Sequence, residues 1–166
     1  GNRNILIKAF KVGDGLGVIA TDITGRKLAE EALTELNNQK EMILNAAGDG
    51  IYGLNLDGKT TFVNPAAAKM IGWEPADLVG LSQHDVLHHS HPNGTHYDRE
   101  ECLIYAAFKD GSVHHVDNEV FWRKDGSSFP VEYVSTPMLR KGEDEGAVVV
   151  FRDITDRKLA EDVLRQ

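Results

Sequence analysis

The sequence predicts an α+β fold: a five-stranded antiparallel sheet with helices on one face, a helix leading in and another leading out. Three observations predict it. Strand-like runs occur in pairs joined by tight turns, at residues 50–63 and 113–138, the pattern of antiparallel hairpins. Helical patterns fall between those pairs, which segregates helices from strands. A stretch also occurs twice, 131 residues apart: Val18 to Leu33 and Val149 to Leu164 both run from an apolar, β-branched strand through Asp-Ile-Thr into a helix-prone segment. A unit bounded on both sides by the same strand-to-helix junction reads as one member of a tandem array.

The elements follow in order. Ile5 to Val12 and Leu16 to Ala20 flank a Gly13-Asp14-Gly15 turn, and the repeat marks them as closing strands of a preceding module. A lone hairpin is marginal in water, so these strands need a surface to lean on, in the same chain or a partner. From Thr24 to Ala47, Ala29, Leu36 and Ile43 recur every seven residues, with Ala32, Leu33, Ala46 and Ala47 widening the stripe. That spacing fits either a helix packed on its own domain or a short parallel coiled coil between two chains. Gln39 and Lys40 interrupt the seam.

Tyr52, Leu54 and Leu56 alternate on a strand, Asp57-Gly58 turns, and Thr60 to Val63 returns. Asn64-Pro65 opens a helix over 66–71 that Gly72 stops. Pro75 to Val79 is a helical turn, and Ser82 to Asp98 is a histidine-rich loop. Glu100 to Lys109 is a helix with Leu103, Ile104 and Ala107 on its apolar side. Val113 to Arg123 and Ser128 to Met138 are strands, Lys141 to Gly146 is a charged loop, and Ala147 to Ile154 closes the sheet. Thr24 and Thr155 stand where a hydroxyl can cap the helix that follows.

Composition excludes several classes. A chain of 166 residues that is 41% hydrophobic and 27% charged has room for one domain with flanking pieces. No apolar run is long enough to span a bilayer. A net charge of −8 disfavours nucleic acid and anionic membranes as partners. Cys102 is the only cysteine, so no internal disulfide forms and a cytoplasmic location is expected, with any membrane anchor elsewhere in a longer protein. No phosphate loop, nucleophile–base motif or metallohydrolase signature appears, so the chain is expected to be regulatory, with catalysis outside it.

Three segments carry a family resemblance. Gly50 to Gly58 with Thr61 to Gly72, Trp122 to Glu132, and Phe151 to Lys158 resemble, in that order, the opening, central hairpin and exit motif of a PAS domain. The resemblance implies the PAS fold and a sensory or dimerising role in a bacterial signalling protein, upstream of a histidine kinase or cyclic-di-GMP enzyme. The expected organisation is residues 1–24 from a preceding repeat, a linker helix over 25–47, the PAS domain over 48–155 and an exit helix from 156–166. A homodimer through the 25–47 helix is expected.

The expected pocket lies between sheet and helices, walled by Tyr52, Leu54, Phe62, Met70, Ile71, Leu103, Ile104, Val120, Trp122, Val131, Tyr133 and Val149. It is either a small-metabolite pocket or a filled core. Asp22, Thr24, Asp153, Ile154 and Thr155 are the expected relay at the two junctions. A histidine cluster, His84, His88, His89, His91 and His96, precedes Cys102. The expectation is no metal, with His88, His89, His91, His96 and Cys102 as the outside alternative, because their spacing matches no zinc template. His114 and His115 point to opposite faces of a strand. Haem is disfavoured, since related sensors take an axial histidine from the helix that here, at 100–109, has none. Light-sensing flavin is disfavoured too: Cys102 sits among Glu100 and Glu101, where a flavin phosphate needs bases. A redox flavin against Trp73 or Trp122 stays open.

Overall fold

The computed structural model describes residues Gly1–Gln166 and divides into two compact units, Gly1–Ile43 and Leu44–Gln166. In the first, β1 (Ile5–Val12) and β2 (Gly15–Asp22) pair antiparallel, from Ile5 opposite Asp22 to Val12 opposite Gly15. Helix α1 (Thr24–Ala46) follows and buries none of its residues. Both strands expose apolar side chains, Ile7 and Leu16 among them.

The second unit holds β3 (Gly50–Asn55), β4 (Thr60–Val63), β5 (His114–Trp122), β6 (Ser128–Arg140) and β7 (Glu143–Asp153). They form one antiparallel sheet in the order β4-β3-β7-β6-β5. Between the hairpins run α2 (Pro65–Ile71), α3 (Pro75–Leu78), α4 (Gln83–Leu87), a 3-10 turn (Arg99–Glu101) and α5 (Leu103–Asp110), and α6 (Thr155–Arg165) leaves after β7. Side chains alternate between sheet faces, and the helix-covered face takes Tyr52 and Leu54, Phe129 to Ser135 at every second position, and Ala147, Val149 and Phe151. All are buried. Their rings touch, with Phe121 and Phe151 centroids 5.2 Å apart and Phe121 and Tyr133 stacked at 5.6 Å.

Several expectations need correction. Phe62 pairs with Gly53 across β3 and β4, and its ring occupies the space a side chain at Gly53 would fill. Gly53 alternates with Tyr52 and Leu54, so Phe62 covers the outer face of the sheet instead of lining the interior. Leu103, at the first position of α5, is exposed. The charged run at 141–146 is not a loop, because β6 and β7 extend to Arg140 and Glu143 around a two-residue turn. Lys141 and Gly142 both have positive φ, at 52° and 84°, the geometry of a tight hairpin turn whose twist matches the strands. The histidine-rich stretch contains α4, which one helical turn of sequence is too short to announce.

The largest departure is in β5. Val116 pairs with Tyr133, yet Glu119 pairs with Val131, so β5 carries one residue more than β6 over this interval. Such a bulge reverses which side chains face inward beyond it. Val116 and Phe121 are buried, while Val120 and Trp122, expected in the pocket, take the alternate positions and are half-buried.

Asn64 ties the entry to the sheet. Its Oδ1 accepts from Ala67 N at 2.9 Å, capping α2, and from Ile51 N at 2.8 Å. Its Nδ2 donates to the carbonyls of Leu44 and Asp49, each at 3.0 Å. Asn64 is 2% exposed, so truncation leaves these groups without solvent to replace it. Asn64→Ala is expected to cost about 2–4 kcal/mol, combining a lost cap with unsatisfied buried backbone groups. Urea denaturation of the full chain measures it, with a loss below about 0.5 kcal/mol contradicting this role.

Candidate functional site

A polar cluster sits inside the otherwise apolar core, and four elements build it. Helix α4 makes one turn, so His84 and His88, four residues apart, fall on the same side; both are buried. Cys102 ends the 3-10 turn and begins α5, 1% exposed. Tyr97, also buried, comes from the loop between. Glu119 follows the β5 bulge, which turns it inward.

His88 is the centre. Its Nδ1 lies 3.2 Å from Cys102 Sγ. Its Nε2 lies 2.8 Å from Glu119 Oε2, an ion-pair contact in which the N–H does not point straight at the oxygen. The hydroxyls of Tyr97 and Tyr133 donate to Glu119 at 2.9 Å and 2.7 Å. Rings pack around the imidazole, with Tyr97 at 4.7 Å, Phe121 at 5.3 Å and Tyr133 at 5.9 Å between centroids. His84 places Nε2 2.9 Å from the Tyr97 carbonyl, which it meets as a donor, and its Nδ1 has no partner.

The electrostatics follow from these contacts. Burial opposes charge on His88, but its hydrogen bond to Cys102, its close contact with Glu119 and the negative charge of both raise its pKa from 6.5 to about 9. Burial opposes the Cys102 thiolate, but the two neighbouring imidazoles, His84 and the hydrogen-bonded His88, and the charge on His88 bring its pKa from 9.0 down to about 6. Burial pushes Glu119 upward, and the His88 contact with the two tyrosine hydroxyls more than reverses it. Tyr97 and Tyr133 are pushed up, first by burial and then by Glu119. Near neutral pH the cluster is thiolate, imidazolium and carboxylate in a line. It can hold or pass a proton and can ligate a cation. It is enclosed, which suits a sensor better than a nucleophile that must meet substrate.

Of the expected pocket residues, Tyr52, Leu54, Ile71, Ile104, Val131, Tyr133 and Val149 share one buried core, with Met70 packed at its margin. Of the alternative metal set, only His88 and Cys102 come together. His89 stacks on Trp122 at 5.3 Å, His91 stacks on Tyr97 at 4.3 Å, and His96 is exposed. His84 completes the convergent group: ligating atoms of His84, His88 and Cys102 lie within 4.8 Å of one another. The i, i+4 spacing of His84 and His88 was the available signal. Glu119 had none, since an extra residue in one strand is invisible until its partner is known.

The two junctions repeat in structure as in sequence. Thr155 N donates to Asp153 Oδ1 at 2.9 Å, and the Thr155 hydroxyl donates to the same oxygen. Thr24 N and Oγ1 donate to Asp22 Oδ1 at 2.9 Å and 2.6 Å. The threonines therefore cap neither helix by accepting; the aspartates accept from the threonines. Asp153 Oδ2 also takes Arg123 Nη2 at 3.1 Å, and Arg123 Nε donates to the Met70 carbonyl at 2.8 Å. Ile154 is buried, and its N–H donates to Pro130 O at 3.0 Å.

A five-stranded antiparallel sheet closed by short helices, with helices before and after it, is the architecture of a regulatory sensory domain. The chain belongs to the PAS family: the model for the PAS fold matches residues 38–154. It is 30% identical over 159 residues, 94% of its length, to the probable diguanylate cyclase DgcE of Escherichia coli. It is 29% identical over 134 residues, 77% of its length, to the signal transduction histidine-protein kinase AtoS of the same organism. It spans 14% and 20% of those proteins. The PAS domain of an HTR-like protein from Haloarcula marismortui superposes with a TM-score of 0.61 at 22% identity, over 77% of this chain and 99% of that one. No helix is long and apolar enough to cross a membrane.

The raised pKa of His88 contributes stability that is complete below pH 6.5 and lost as pH rises through about 9. The lowered pKa of Cys102 contributes stability that is complete above pH 9.0 and lost as pH falls through about 6. Thiolate absorbance of the folded chain is therefore expected to appear with a midpoint near pH 6 and to be absent in Cys102→Ser. Glu119→Gln, which removes the counter-charge of His88, moves the midpoint up towards the ordinary thiol range. A wild-type midpoint near 9 would contradict the charge assignment.

Proposed function

We propose that this chain is a sensory module of a larger signalling protein, reading a small ligand or redox state at the Cys102–His88–Glu119 cluster. It passes that state through its flanking helices to an effector, either a histidine kinase or a cyclic-di-GMP enzyme. The observation that carries this reading is a row across the sheet. Glu119 on β5 pairs with Val131 on β6, and Val131 pairs with Asp153 on β7. The acceptor of the buried site and the carboxylate that organises the exit corner thus share one row of strand neighbours. A charge lost at Glu119 or His88 displaces β5 against β6, and the shift reaches Asp153 where β7 becomes α6. The relatives in diguanylate cyclase and histidine kinase proteins support the choice of effectors.

The same reading takes the protein as a dimer through α1. Leu28, Leu33, Leu36, Met42 and Ile43 are all exposed on that helix, an apolar surface that a partner helix would cover. A ligand-free dimerising spacer is the second reading, favoured by how fully Tyr52, Phe121 and Phe151 fill the interior.

In the full-length protein, Asp153→Ala and Arg123→Ala are expected to leave effector activity insensitive to substitution of Cys102, while Glu119→Gln alone shifts it. If output still followed Cys102 in the Asp153→Ala protein, the relay would be wrong. If no cluster substitution changed output, the spacer reading would stand. Sedimentation of the chain is expected to give a dimer, and a monomer at high concentration would remove α1 as the interface.

A further inference from the structure

We propose that His84, His88 and Cys102 form a buried site for a single borderline-soft transition-metal ion of the zinc class. The ligating atoms of the three residues lie within 4.8 Å of one another. Tetrahedral zinc, with Zn–S of about 2.3 Å and Zn–N of about 2.0–2.1 Å, holds neighbouring sulfur and nitrogen ligands about 3.5 Å apart. Cys102 Sγ and His88 Nδ1 stand 3.2 Å apart, so small side-chain adjustments admit the ion.

The outer contacts are those that metal-binding histidines use. A ligating imidazole normally gives its far N–H to a carboxylate or a carbonyl, which fixes its orientation and leaves the near nitrogen to the metal. His88 turns Nε2 to Glu119, and His84 turns Nε2 to the Tyr97 carbonyl. Both residues are about 98–99% buried. His84 Nδ1 has no hydrogen-bond partner, although a buried polar atom without one is costly. It is an unused lone pair close to the Cys102 sulfur, and a metal ion would satisfy it.

Charge and ligand type narrow the ion. Binding displaces the Nδ1 proton of His88 to solvent, and the divalent cation is then balanced by the Cys102 thiolate and the Glu119 carboxylate, two negative charges against two positive, in a site where an unpaired charge is expensive. Hard cations such as Mg2+ and Ca2+ favour oxygen ligands, whereas a thiolate with two imidazoles suits zinc or copper. Three protein ligands leave one tetrahedral position for an exchangeable group. The loop histidines His89, His91 and His96 are not part of the site.

This inference names the occupant of the cluster already read as the input, but binding is measured on the chain itself, without reference to effector output. The experiment uses the tag-free full chain with Zn2+ for stoichiometry and Co2+ for spectroscopy. One equivalent of Zn2+ is expected to remain after dialysis, and Co2+ is expected to give a sulfur-to-cobalt charge-transfer band. The chain has one cysteine, so that band places the ion at Cys102 even if a variant fails to fold. Cys102→Ser is expected to abolish the band, and Glu119→Gln to weaken Zn2+ binding by about 10–100-fold. Replacing His89, His91 and His96 together with alanine is expected to leave both unchanged. Zinc far below one equivalent in folded wild-type chain, cobalt bound without a sulfur band, or binding lost only in the loop variant would each overturn the proposal. Metal binding that leaves full-length output unaffected would overturn the signalling reading and leave the site standing.

Discussion

The bulge in β5 between Val116 and Glu119 decides where polar chemistry enters this core. Without the extra residue, the inward alternation from Val116 would continue through Asn118, Val120 and Trp122, and Glu119 would face away. With it, Glu119 and Phe121 turn inward. One carboxylate then stands against His88, and much of the cluster depends on that contact. It sustains the imidazolium, which sustains the thiolate, and it draws the hydroxyls of Tyr97 and Tyr133 into a shared set of hydrogen bonds. A buried ionic group of this kind is seldom a gain in stability over apolar packing. On the proposed reading, its place amid Tyr52, Phe121 and Phe151 serves signal input and not stability.

The corner after β7 has a comparable economy of parts. Asp153 uses one oxygen for Thr155 and the other for Arg123, whose guanidinium also reaches the Met70 carbonyl at the end of α2. The strand-to-helix turn is thus held to the sheet and to a helix lying over it. Asp22 and Thr24 repeat the first half of this device at the β2 to α1 junction. The repetition gives physical content to the tandem pattern: the same carboxylate–hydroxyl pair organises both turns, whatever lies on either side.

Much of the fold was legible in the sequence because its signals are local. Alternation marked β3, β-prone runs set off by turns marked β4, β6 and β7, Asn64-Pro65 marked the start of α2, and Gly72, with φ of 71°, marked its end. The paired Asp-Ile-Thr stretches marked the junctions. What sequence reasoning missed depends on pairing. The β5 bulge is defined only against β6, so Val120 and Trp122 were expected where Phe121 and Glu119 belong. The outward turn of Phe62 depends on the bare face of Gly53. The histidines looked like one group because they are close in sequence, yet His84 and His88 share a helix face while His89 and His91 stack elsewhere. The two imidazole neighbours of Cys102 were not legible, because they come from a different element.

On the proposed reading, the charge state of the buried cluster is felt at the exit corner along the row Glu119, Val131, Asp153. Backbone hydrogen exchange tests it most directly, read at the Ile154, Thr155 and Lys158 amides, whose acceptors are the Pro130 carbonyl, the Asp153 carboxylate and the Ile154 carbonyl. Glu119→Gln is expected to speed exchange at these three amides while the Ile51 amide, bonded to Asn64, keeps its protection. Unchanged exchange at the corner, in a variant whose Cys102 thiolate has demonstrably been lost, would contradict it.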